Sequence, residues 1–285
     1  VSSLASNATI ILYDGSPFVP NIKYLFEIAD KEKIKFFGTG AKYLDTLKNY
    51  KIKINKLFEL SKLEILASTG SPLVKETFEY VYNSIKKNIQ LASISGGTDI
   101  VSCFVLGNPS SPVFSGEIQC AGLGMDVDIY DESGKSLINK KGELVCKSSF
   151  PSKPLYFWND DNFKKYKSSY FLKFPNIWCH GDYCIKTLNN GYVILGRSDA
   201  TLNAGGVRIG TSEIYRVIEN LKNISEGIAV ERNNLNGTEI ILFVVTHNQI
   251  KFNNSIKNEI ISKIKKELSP KHVPAKIYSV KEIPK

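Results

Sequence analysis

Short apolar runs alternate with segments of helical periodicity through residues 1–95, and no other feature constrains the fold as tightly. IKFFGTG (34–40), LEILASTG (63–70) and IQLASIS (89–95) each read as a short buried strand. Between them, Ala41–Asn49 and Leu73–Lys86 read as helices, the second with Phe78, Val81, Tyr82 and Ile85 on one face. An earlier helical face holds Ile22, Leu25, Phe26, Ile28 and Ala29, and Thr9–Tyr13, closed by Asp14-Gly15, reads as a first buried strand. Short buried strands separated by helices predict a parallel sheet of the doubly wound α/β type.

In such sheets ligands sit at the carboxyl ends of the strands. Two polar loops fall there. STGSPL (68–73) offers Gly70, Ser71 and Pro72 ahead of a helix whose amides can meet an anion or a base edge. SISGGTDI (93–100) offers the hydroxyls of Ser93, Ser95 and Thr98 and the backbone of Ile94, Gly96 and Gly97. Asp99 next to Thr98 is a candidate Mg²⁺ ligand. Each loop also reads as a plain strand-to-helix turn.

From Phe104 the pattern changes to short strands separated by turn residues: 116–125, 127–137 and 142–147, with DESGK (131–135) as a hairpin turn. CHGDY (179–183) places Asp182 after a glycine at the start of a strand, where its carboxylate can accept both hydroxyls of a ribose. Nothing nearby in sequence pairs His180 with a nucleophile, so it reads as positional. Gly196–Ile214 then sets Arg197 and Arg208 on a Gly-rich loop ahead of a helix over Ser212–Leu221. Gly205, Gly206 and Gly210 permit positive φ, Thr211 suits a cap, and Glu213 suits the first helical turn. The arginines can bind phosphate or sugar oxygens, or can simply solvate a surface turn. Strands over 226–231, 239–246 and 275–280, with Ile256, Ile260, Ile264 and Leu268 in helical step, form a further small α/β unit.

SISGGTDI, GEIQCAGLGM, CHGDY and GRSDATLNAGGVRIGTSEIY together resemble the adenylate-forming superfamily of acyl-CoA synthetases, most closely its acetoacetate-activating branch. The resemblance implies a large AMP-binding domain (doubly wound sheet plus β-barrel subdomain) over residues 1–198 and a small mobile domain over 199–285. It implies an ATP-dependent ligase that joins acetoacetate to coenzyme A through an acyl-adenylate, with Mg²⁺. By resemblance Gly70, Ser71, Pro72 and Ser93 to Thr98 contact the nucleotide, Asp182 binds ribose, and Arg197 and Arg208 bind ATP or AMP. Thr98 and Arg208 act in catalysis, Asp99 faces the metal, Gly205 and Gly206 pass the pantetheine arm, and Asp199 is the hinge. Most relatives have Glu where this chain has the shorter Asp99. In acetate-activating relatives a tryptophan stands at the position of Gly96, and its absence implies room for a four-carbon acid, an indole covering about 150–250 Å². The family's phosphate loop is expected upstream of Val1 and its adenylation lysine past Lys285, so the chain reads as a fragment open at both ends and inactive alone. An acetyl- or propionyl-CoA synthetase is the alternative within the family.

A formal charge of +9 raises the reading of a nucleic-acid-binding module. The lysines, however, are spread among Asn and Ile, as in KNYKIKINK (48–56), without a basic stripe interleaved with stacking aromatics. Five scattered cysteines without CxxC spacing read as reduced cytoplasmic thiols, not as a disulfide framework or zinc site. No apolar run reaches the length of a membrane span.

Overall fold

The computed structural model describes residues 2–198, 201–204, 207–234, 237–247 and 250–283. They form two compact units, one of residues 1–94 and 106–119, the other of residues 95–105 and 120–285. The boundary that the sequence suggests at 198/199 falls inside the second unit, beside residues outside the described set.

The first unit is the expected parallel sheet. Strands β1 (Phe36–Gly40), β2 (Ile65–Thr69) and β3 (Gln90–Ser93) lie side by side in chain order, all parallel. The α-helices of this unit among the described residues are α1 (Ser2–Ala5), α2 (Tyr24–Lys31), α3 (Ala41–Asn49) and α4 (Lys75–Tyr80), the last continued by a π turn at Val81–Ile85. Parallel strands need such crossovers. Phe26, Leu44, Leu47, Leu66, Phe78, Val81 and Leu91 bury together as the core, so the helical periodicity and the strand runs report one interior. Thr9–Tyr13 is not a strand. Leu12 is 88% exposed, Ile10, Ile11 and Tyr13 are exposed as well, and no strand pairs with the run among the described residues.

The second unit holds the antiparallel part. Strands β4 (Ser95–Gly97), β5 (Ser102–Leu106) and β6 (Cys120–Ala121) form one small sheet. A second sheet has the order β10-β9-β8-β7, built from β7 (Val127–Tyr130), β8 (Lys141–Cys146), β9 (Trp178–Lys186) and β10 (Tyr192–Arg197). The DESGK turn closes as expected, the Asp131 amide donating to the Lys135 carbonyl at 2.9 Å. Helix α5 (Lys164–Tyr170) packs near β9. These sheets stay open: no barrel closes among the described residues.

The Gly-rich stretch after Arg197 is a hairpin, not a loop running directly into a helix. Strand β11 (Thr201–Ala204) pairs antiparallel with β12 (Val207–Gly210), and α6 (Thr211–Glu219) follows. Gly210 has φ −70° and ψ 125°, an extended conformation; it occupies the cap position, and Thr211 is the first helical residue. Strands β13 (Ile224–Asn234), β14 (Gly237–Thr246) and β15 (Lys276–Ser279) form a sheet with α7 (Asn254–Glu267). Asn253 caps α7 by accepting from the Ile256 amide at 3.0 Å. Leu202, Ile209, Ile214, Ile218, Leu242 and Ile260 share this core, so the hairpin is part of the C-terminal α/β cluster. No helix among the described residues is long and apolar enough to cross a membrane.

Candidate active site

Strand β9 carries four buried side chains at alternate positions, Trp178, His180, Asp182 and Cys184. Alternate residues of a strand face the same way. Trp178 and His180 accordingly both pack on Phe104, with ring centroids 6.4 and 4.7 Å away. Asp182 lies within β9 rather than at its start. Gly181 (φ +81°) and Gly196 (φ +117°) adopt values that a Cβ disfavours, and the β9–β10 register breaks between Ile194 and Gly196. A bulge of this kind re-aims the side chains around it. Here it sets Arg197 directly opposite Asp182, with Nη1 3.6 Å from Oδ1.

The Asp182 side chain is only 9% exposed, while Arg197 is 49% exposed. On the other flank, His180 Nε2 lies 3.7 Å from Asp182 Oδ2. A buried carboxylate thus sits between an imidazole and a half-exposed guanidinium. Its oxygens accept hydrogen bonds and cannot donate, which matches a pair of sugar hydroxyls.

Ser95 to Asp99 forms one arm and the tip of the β4–β5 hairpin, where a strand-to-helix turn was the alternative. The Ile100 amide donates to the Gly97 carbonyl and the Val101 amide to the Thr98 carbonyl, both at 3.3 Å. Thr98 and Asp99 are exposed at this tip. Asp99 Oδ2 accepts from the Tyr170 hydroxyl at 2.7 Å, and Oδ1 from the Ile100 amide at 3.1 Å. Tyr170 lies flat on Trp178, ring centroids 3.6 Å apart and planes 16° from parallel. Burial first, then the Asp99 carboxylate, push the Tyr170 phenol above its ordinary pKa and keep it a donor.

The two glycines of the tip are fixed by contact. A Cβ on Gly97 would meet Asp99 Oδ1 at 1.9 Å and His180 Cε1 at 3.1 Å, so the tip rests against His180 where a side chain has no room. A Cβ on Gly96 would meet the Ser102 carbonyl oxygen at 2.2 Å and Cys103 Cα at 2.6 Å. Gly96 therefore has a packing reason to be glycine, the close approach of β4 to β5, besides any part in an acyl pocket.

Gly70, Ser71, Pro72, Ser93 and Ile94 belong to the first unit. Gly70 has φ +86° with Ser71 and Pro72 exposed beside it just past β2. Ser93 is buried at the end of β3, and the Ile94 amide donates to the Ser68 carbonyl at 2.9 Å. Asp199, Gly205 and Gly206 lie outside the described residues, as does the Arg208 side chain, although its backbone pairs with Asn203.

Sequence reasoning missed a buried acid on β8. Glu143, 2% exposed, accepts from Lys173 Nζ at 2.7 Å and from the Ser198 hydroxyl, the residue just before Asp199. Burial, followed by the nearby Glu143 carboxylate, pushes the Cys179 thiol up to about 12, so it is no nucleophile at neutral pH. A second ion-paired group joins Lys141 Nζ to Glu213 Oε1 at 2.7 Å and Glu213 Oε2 to His272 Nε2 at 3.1 Å. An acid within a strand's apolar run was the signal available for Glu143. For Tyr170 and Lys141 there was none, since their partners lie 71 and 72 residues away. No cluster of three or more His, Cys, Asp or Glu side chains that could hold a metal occurs among the described residues.

No family model matches the chain. Over its entire length the chain is 49% identical to the acetoacetyl-coenzyme A synthetase of Rhizobium meliloti (strain 1021). The solved acetoacetyl-CoA synthetase from Streptomyces lividans superposes on 99% of the chain with a TM-score of 0.88 at 36% identity. This chain is a homologue of the acetoacetyl-CoA synthetases. It spans 44% of the Rhizobium protein and 43% of the Streptomyces structure. An anthranilate CoA ligase in complex with anthranoyl-AMP matches 98% of the chain at 17% identity with a TM-score of 0.74, which extends the likeness in fold to adenylate-forming CoA ligases.

Proposed function

We propose that the protein works as an ATP-dependent acetoacetate–CoA ligase. The observation that carries this reading is the buried Asp182 carboxylate held opposite Arg197 and beside the Ser95–Asp99 hairpin tip. Its likeness over the whole chain to proteins named acetoacetyl-CoA synthetase supports the choice of acid. In the reaction, the carboxylate of acetoacetate attacks the α-phosphate of ATP, giving acetoacetyl-adenylate and pyrophosphate. The thiol of coenzyme A then displaces AMP.

Asp182 accepts the two ribose hydroxyls, and the half-exposed Arg197 neutralises phosphate charge, with Arg208 and the Thr98 hydroxyl assigned the same task. Gly70, Ser71, Pro72 and Ser93 to Gly97 are assigned to the nucleotide as well. Mg²⁺ takes few protein ligands and several phosphate oxygens. A single exposed acid such as Asp99 fits that requirement, because each carboxylate oxygen has a second lone pair beyond its bond from Tyr170 or Ile100. When bound, the ion would neutralise phosphate charge. Gly205 and Gly206 are proposed for the pantetheine arm, Asp199 for the pivot, and 199–285 for the moving domain. A cytoplasmic setting is part of the reading, for which the five free thiols argue.

The test uses the protein as its gene encodes it. Release of AMP and pyrophosphate is followed with acetoacetate, acetate and propionate in turn, with ATP, Mg²⁺ and coenzyme A present. The reading expects the highest kcat/KM with acetoacetate. A preference for acetate or propionate would transfer the assignment to those ligases, and no AMP release with any acid would end it.

A further inference from the structure

His180 Nδ1 is a buried polar atom without a hydrogen-bond partner. Folded proteins rarely leave such an atom unpaired, and one beside a candidate site calls for an explanation. The ring is well held. Phe104 packs on it edge-wise at 4.7 Å, Asp182 flanks Nε2 at 3.7 Å, and Cε1 faces Gly97. At 3.7 Å the contact with Asp182 is longer than a hydrogen bond, so it imposes no tautomer, and Nδ1 can carry the proton.

A four-carbon 3-keto acid brings an oxygen that only accepts, and burying it requires a donor. The carboxylates of Asp99 and Asp182 accept only, and the Tyr170 proton is committed to Asp99. Two buried side-chain nitrogens of β9 lack a partner, Trp178 Nε1 and His180 Nδ1. Trp178 is covered by the stacked Tyr170 ring, whereas the His180 ring is the one that faces Gly97 and the Asp99 carboxylate. Asp99 Oδ1 lies on the same side of Gly97 as the His180 ring, at the point where a Cβ would stand. Rotation of this exposed carboxylate about its Oδ2, which keeps the bond from Tyr170, moves Oδ1 aside and opens the space beside the imidazole.

We propose that His180 is a specificity-determining residue of the ligase: its Nδ1–H donates to the keto oxygen of the bound acyl group, in space that Asp99 Oδ1 vacates. The inference rests on the ligase reading above and names the group that distinguishes a 3-keto acid from a plain four-carbon acid. A site that offers such a donor disfavours the analogue lacking the acceptor, because the donor is then left unpaired.

The test compares kcat/KM for acetoacetate and for butyrate, which has the same carbons without the ketone. Wild type, His180→Phe and His180→Asn are measured in the protein as its gene encodes it. Phe keeps a ring against Phe104 but has no donor, whereas Asn places an amide N–H near the Nδ1 position. His180→Phe is expected to lose roughly tenfold or more on acetoacetate, with butyrate changed less than about twofold and KM for ATP unmoved. His180→Asn is expected to recover most of the preference. Equal losses on both acids, a raised KM for ATP with the preference intact, or no recovery by Asn would overturn the assignment. If the Phe variant does not fold, His180→Gln replaces it. Its amide reaches toward the Nε2 position, so an unchanged preference there overturns the proposal. A wild type that activates neither acid refutes the ligase reading and this inference with it, a failure visible before any variant is made.

Discussion

Adding one methyl group at Gly96 forces β4 away from β5. The new Cβ would stand 2.2 Å from the Ser102 carbonyl oxygen and 2.6 Å from Cys103 Cα, against 3.4–4 Å for ordinary contact. Both neighbours are backbone atoms of the paired strand, so no side chain can rotate to relieve the clash. The strand must move by more than an ångström, and the pairing of Gly96 with Cys103 and Gly97 with Ser102 opens. Overpacking typically costs about 1–3 kcal/mol and occasionally more, and a backbone clash belongs at the upper end, about 3 kcal/mol. For a chain of this size that lowers Tm by roughly 6–12 °C. The control is Gly70→Ala. Gly70 has φ +86° but nothing within 4 Å of a built Cβ, so only conformational strain is added, about 1–2 kcal/mol. Thermal melts of both variants make the check, and a Gly96→Ala protein as stable as Gly70→Ala would refute the reasoning. The same clash bears on substrate choice. Gly96→Trp should still shift preference from acetoacetate toward acetate if the position walls the acyl pocket, but only in a protein whose β4–β5 pairing has been displaced. Melting data must therefore accompany the kinetics.

Three further outcomes follow from the same contacts. Asp182→Ala should weaken ATP binding about tenfold or more, since charge-assisted hydrogen bonds contribute roughly 1.5–3 kcal/mol each; calorimetry with ATP that finds the affinity unchanged rejects the ribose role. Lys173→Met should destabilise by about 2–3 kcal/mol because it strands the buried Glu143 carboxylate, and adding Glu143→Gln should restore part of the loss in a double-mutant cycle. At Glu213, burial acts to raise the pKa, but hydrogen bonds from Lys141 and His272 outweigh it and hold the value below the usual 4.5. A depressed carboxylate contributes stability above the unfolded-state pKa and loses it as pH falls through the folded-state value. Glu213→Gln should therefore cost about 1 kcal/mol above pH 4.5 and converge on wild type under more acid conditions, checked by denaturant titration across that range.

Periodicity alone located most of the elements. The alternation of short runs with helical faces specified β1 to β3 and their helices, because parallel neighbours need crossovers. Strands β2 and β3 are largely buried as expected, but β1 is exposed at alternate positions, with Phe36 59% exposed. The same logic failed at Thr9–Tyr13, an apolar run that meets no partner strand among the described residues. It also failed at GRSDATLNAGGVRIG, where glycines suggested a loop and Leu202 and Ile209 instead bury the two arms of a hairpin in the C-terminal core.

For the candidate site, the sequence supplied residue types and order: Asp182 two residues past His180, Arg197 after Gly196, and Asp99 beside Thr98. What each side chain meets was decided by tertiary structure. A bulge between Ile194 and Gly196 puts Arg197 opposite Asp182, and a one-residue shift would have turned it to the other face. Tyr170 reaches Asp99 from 71 residues away, Lys141 reaches Glu213 from 72, and Ser198 reaches Glu143 from 55. Local spacing reports which face of an element is buried. It contains nothing about which distant side chain will share that space, since register, crossover and burial are properties of the folded chain.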